Sequence, residues 1–141
     1  MNKLLLIIAL FIGMTACGSK HKGSPRTEPE SAGNDRTEVL YFHSKKRCAT
    51  CLAIEEHTRD VVSTMFADEL KNGAVVFRVI DMTTPEGDKM ADRYEVAWSS
   101  LFVNKWKDGQ ETRSNLTEFG FSTARKEPEL FKKELADKIR Q

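Results

Sequence analysis

Residues 41–51, YFHSKKRCATC, pass from strand-like apolar residues through three cations into two cysteines three positions apart. Upstream, EVLYFH (38–43) is rich in β-formers and reads as a buried strand. Downstream, CATCLAIEEHTRDVVSTMFADELKNG (48–73) reads as one helix, because Leu52, Ile54, Val61, Val62, Met65, Phe66 and Leu70 recur at roughly helical spacing. Asn72-Gly73 supplies its stop, since glycine accepts the left-handed conformation at a helix end. The two thiols therefore stand where a strand gives way to a helix. A helix N-terminus carries partial positive charge and free backbone N–H groups. A thiolate there is stabilised, and the thiolate is the reactive species. Lys45, Lys46 and Arg47 add positive charge just upstream, with Lys46 and Arg47 expected to tune the first thiol. Cys48, nearer the helix end, is expected to attack, and Cys51, one turn on, to resolve the mixed disulfide.

Beyond the first helix, AVVFRVID (74–81) is a nearly continuous apolar strand of the kind buried on both faces. TTPEGDKMADRYEV (83–96) reads as a short helix, with Thr84 as its cap and Pro85 at the first helical position; Gly87 weakens it. SLFVNKWK and QETRSNL flank Asp108-Gly109, a strong hairpin signal. EPELFKKELADKIR (127–140) closes the chain as a helix with Leu130, Phe131, Leu135 and Ile139 on one face. The order β-α-β-α-β-β-α makes the first two strands parallel and the last two antiparallel. One four-stranded mixed sheet with helices on its faces would bury all of these apolar stripes.

That order, with CxxC opening the first helix, resembles the thioredoxin fold over about residues 38–140, and the expected class is α/β, thioredoxin-like. YFHSKKRCATC, VIDMTTPEGDKMADRYEV and SSLFVNKWKDGQ also resemble a smaller group of bacterial thioredoxin-like lipoproteins, some of which carry a nitrophenyl-nitroreductase-subunit name. No flavin or nicotinamide motif accompanies that name here, and the resemblance implies no cofactor. What it implies is exchange of disulfides through Cys48-Ala49-Thr50-Cys51 with client protein thiols or a membrane electron donor. The chain departs from thioredoxin itself at several places. Arg47 stands where the family has Trp, and Ala49-Thr50 where it has Gly-Pro. The first strand offers Leu40, Tyr41 and Phe42 instead of the family's buried acid. None of Pro25, Pro29, Pro85 and Pro128 matches the family's substrate-holding cis-proline; Trp98, Ser99 and Ser100 occupy that loop, and a trans peptide is expected there.

The first twenty residues, MNKLLLIIALFIGMTACGSK, have a cation, a short apolar run from Leu4 to Ile12 and small residues before Cys17. The run is shorter than the roughly 20 residues a spanning helix needs and has the form of an export signal. MTAC resembles the lipobox of bacterial lipoproteins, which implies cleavage after residue 16 and acylation of Cys17, palmitate included. The expected organisation is a signal peptide at 1–16, a flexible Gly/Ser/Pro/charge tether at 17–36 and the thioredoxin-like domain at 37–141. Removing 1–16 takes away Lys3 and no acid, which leaves the side-chain charges balanced, so the lipid and not electrostatics would hold the membrane. Gly18 after the cysteine implies an outer-membrane anchor facing the periplasm.

The totals exclude little else. Charged residues are 30% of the 141, hydrophobic ones 40%, and the net charge of +1 argues against a nucleic-acid partner. Two other functions remain open on the residues alone. Cys48, Cys51 and His43 could hold copper or zinc in a delivery module, whereas His57 lies too far along the helix. The chain could also be a partner-binding subunit with idle thiols.

Overall fold

The computed structural model describes residues 35–141. The signal segment, Cys17 and the tether up to residue 34 lie outside the described residues. β1 (Arg36–His43) leads into α1 (Ala49–Met65), α2 (Ala67–Asn72), β2 (Val75–Asp81), α3 (Pro85–Tyr94), β3 (Ser100–Lys107), β4 (Gln110–Asn115), α4 (Thr117–Thr123) and α5 (Pro128–Arg140). The strands form one mixed sheet in the order β2-β1-β3-β4. β1 runs parallel to β2 and antiparallel to β3, and β3 runs antiparallel to β4. This is the thioredoxin-like arrangement expected from the sequence.

β1 owes its central place to four consecutive residues, Val39 to Phe42, that are all fully buried. Successive side chains of a strand point to opposite faces, so these four feed two cores. Val39 and Tyr41 pack with Ile54, Val61, Phe131 and Leu135 of α1 and α5. Leu40 and Phe42 pack with Ile80, Ala91, Tyr94 and Phe102 under α3. β1 thus enters at Arg36 and delivers the chain at His43 to the loop that carries the cysteines.

Four differences from the sequence reading have physical causes. β1 opens at Arg36, not Glu38, because Arg36 pairs in register with Trp106 and its guanidinium lies 4.9 Å from that ring's centroid. The single helix expected over 48–73 is two: Phe66 leaves helical geometry (φ −131°, ψ 31°), turns into the core and takes the Arg140 guanidinium over its ring. α4 adds a helix the apolar pattern did not show. Its start is fixed by polar bonds instead: Asn115 Oδ1 accepts the Thr117 N–H at 2.9 Å, and Thr117 Oγ1 accepts the Leu101 N–H at 3.0 Å. Leu130, expected with the buried face of the last helix, is exposed.

Gly87, read as a weakness of α3, is what lets it form here. A side-chain carbon at this position would collide with the Asp81 carbonyl at the end of β2. Thr84 caps the helix as expected, its Oγ1 accepting the Gly87 N–H at 3.0 Å.

Candidate active site

The cysteine pair sits at the end of β1 and the start of α1. Cys48 is the N-cap residue: its backbone is extended and its Sγ accepts the Cys51 N–H at 3.1 Å. One orphan donor of the helix end therefore points at the sulfur, the geometry that stabilises a thiolate. Cys48 is exposed, whereas Cys51, inside the first turn, is only 6% exposed. The two are joined as a disulfide with their Cα atoms 5.0 Å apart. The outer sulfur can meet a partner, and the inner one can be reached only through it.

Two contacts fasten the turn from behind. Tyr41, fully buried in β1, donates its hydroxyl to the Cys51 carbonyl at 2.7 Å. Burial raises the tyrosine's pKa against opposing contributions from the Ser99 hydroxyl and the Arg47 charge, so it stays neutral and keeps that proton. Arg47 lies beside the Tyr41 ring, 5.9 Å from its centroid, and forms an ion pair with Glu55 in the second turn of α1. Glu55 also accepts from Arg59 at 3.0 Å. Arg47, expected to tune the thiol through its charge, thus brings a carboxylate with it, whereas Lys46 is exposed and in no ion pair among the described residues.

The 98–100 loop enters β3 beside the end of β1, where Ser100 pairs with Phe42. Trp98 is 68% exposed. Ser99 and Ser100 are buried, and Ser100 Oγ donates to the Trp98 carbonyl at 2.9 Å. The described residues contain no cis peptide bond, so this loop is trans. Only Trp98 of the three presents a large surface outward.

His43 closes β1 opposite Asp81 of β2, and its Nδ1 lies 3.2 Å from the Ser44 carbonyl. Among the described residues no three His, Cys, Asp or Glu side chains converge as a metal-binding group. No described helix is long and apolar enough to cross a membrane.

The sequence reading missed Tyr41 and Glu55 as parts of this site. A tyrosine in a fully apolar strand was the available signal, since its hydroxyl must find a partner when buried. Glu55 gave none, because its pairing with Arg47 depends on how the loop folds back over the helix.

No family model matches the chain, and no curated protein does. Among solved structures it is similar to a thioredoxin from Thermus thermophilus, at 27% identity over 72% of this chain and 72% of that one, with a TM-score of 0.45. It is also similar to a malarial protein at 13% identity, over 70% of this chain and 96% of the other, with a TM-score of 0.41. Both scores lie below 0.5; strand order and the place of the cysteines within it define the fold.

Proposed function

We propose that this chain is a thiol-disulfide oxidoreductase of the bacterial envelope, working through Cys48 and Cys51 and held to a membrane by lipid on Cys17. One observation carries the chemistry: the exposed Cys48 sulfur caps α1 and receives the Cys51 N–H, with the second sulfur bonded behind it. From the reduced side, the Cys48 thiolate attacks a client disulfide and expels one client thiolate, which takes a proton from water. Cys51, once deprotonated, attacks the Cys48 sulfur and expels the second client thiolate. The client gains two electrons and the cysteine pair loses two, so no organic cofactor is needed. Positive potential at the helix end favours the reduced pair and makes the disulfide the stronger oxidant. The envelope location and the outer-membrane anchor rest on MTAC and Gly18 in the sequence.

The test is trapping. Cys51→Ser should leave client proteins covalently attached to Cys48 and released by dithiothreitol, and Cys48→Ser should trap none. Failure of Cys51→Ser to form any mixed disulfide with extracts or model disulfides would remove the reading.

A further inference from the structure

The rim of the reactive sulfur is uneven in charge and polarity. Lys45 and Lys46 precede it, both exposed and neither in an ion pair among the described residues. Arg47, by contrast, is ion-paired with Glu55, a carboxylate it shares with Arg59. The acid at the end of the neighbouring strand, Asp81, is engaged by the Thr83 N–H and hydroxyl at 2.9 and 2.8 Å. The two lysines are the exposed cations that lead the chain into Cys48, and neither is in an ion pair among the described residues. Two large apolar side chains complete the rim. Leu52 follows the buried cysteine and is 49% exposed, and Trp98 is 68% exposed two residues before Ser100, which pairs with Phe42 at the end of β1 that leads into the cysteine loop. Any client must pass over this rim, because only Cys48 of the pair is exposed.

We infer that the rim selects clients whose reacting cysteine is flanked by acidic and apolar residues. This rests on the oxidoreductase reading and adds the client's chemical class. The lysines attract the carboxylates during encounter, an effect that salt weakens. Leu52 and Trp98 cover an apolar side chain next to the client sulfur. In the oxidising direction the client thiolate attacks Cys48 Sγ and forms the mixed disulfide. The Cys48–Cys51 bond breaks, and Cys51 leaves as a thiolate that takes a proton from water. A second client thiolate then displaces Cys48, so the client loses two electrons and the pair gains them.

The experiment uses the full chain in its disulfide form with matched short peptide thiols. Each has one cysteine beside a leucine, flanked by Glu, Gln or Lys. The readout is the ratio of acidic to basic peptide rates, compared between the natural protein and a Lys45→Glu/Lys46→Glu variant. Each peptide's own thiol reactivity cancels in that comparison. The acidic peptide should react about fivefold faster than the basic one at low salt, the preference should shrink at high salt, and the variant should reverse it. A ratio unchanged by the double substitution overturns the inference. So does a lysine-dependent capture by anionic phosphatidylglycerol vesicles with no peptide preference, which assigns the lysines to a lipid surface. A protein that reacts with none of the peptides and is not reduced by dithiothreitol contradicts the oxidoreductase reading itself, a separate failure.

Discussion

At the scale of single residues, the site depends on how Arg47 and Glu55 share charge next to Cys48. A guanidinium alone would hold the thiolate; a guanidinium paired with a carboxylate holds it less and instead ties the loop to the helix. Glu55→Gln should move the midpoint of Cys48 alkylation to lower pH by about half a unit, and Arg47→Gln should move it up by a similar amount. Rates of alkylation across pH measure both, and shifts of the same sign in the two variants would contradict the arrangement. The place of the cysteine pair, between β1 and α1 and within disulfide distance, was legible in the sequence, because two cysteines between a strand pattern and a helix pattern have few other places to be. Tyr41 and Glu55 were not, since their partners, the Cys51 carbonyl and Arg47, are reached across a loop whose path no periodicity encodes.

At the scale of elements, local pattern served best where burial is regular. The four strands and the helices carrying Pro85 and Pro128 followed from β-former-rich and apolar runs, the Asp108-Gly109 turn signal and capping chemistry, although β2, read as buried on both faces, is an edge strand with only Val75 and Ile80 buried. It failed where one residue overrides a run: Phe66 trades helical geometry for the core and splits α1 from α2. α4 has only one turn of glycine and aromatic residues, and Gly120 in it packs against Ile54 and Phe131. Gly87 shows the opposite error, since low helix propensity masked a requirement for close approach. Gly87→Ala gains propensity yet must push α3 off the Asp81 carbonyl, so it should destabilise the domain by about 1–3 kcal/mol, as overpacking does. Urea unfolding of the variant beside the natural protein decides this; a gain in stability would show that α3 can slide at little cost.

At the scale of the whole domain, a polar cluster between α3 and the hairpin contributes to its tolerance of pH. Tyr94 bonds to Glu111, and Asn104, fully buried, donates to both at 2.7 and 3.1 Å. Burial opposes ionisation of Glu111, but the Arg113 hydrogen bond, the Tyr94 hydroxyl and the charges of Arg113 and Arg93 outweigh it and hold the carboxyl below its ordinary range. Its contribution is present at neutral pH and fades as pH falls through the ordinary glutamate value of about 4.3 and below. Tyr94 is shifted upward, first by burial and then by Glu111, and Tyr41 is raised by burial too. Unfolded tyrosines lose their protons from about pH 10, before the folded ones, so stability drops as pH climbs beyond that point. Tyr94→Phe should flatten this alkaline decline in urea unfolding free energy measured on either side of about pH 10, and an unchanged slope would assign the decline elsewhere.

The direction of β1 has one more consequence. Whatever precedes Arg36 joins the domain at one pole of the central strand, and Cys48 lies past the other, about 25 Å away along eight residues. A fusion placed before Arg36 therefore meets the domain at the end of β1 opposite the disulfide.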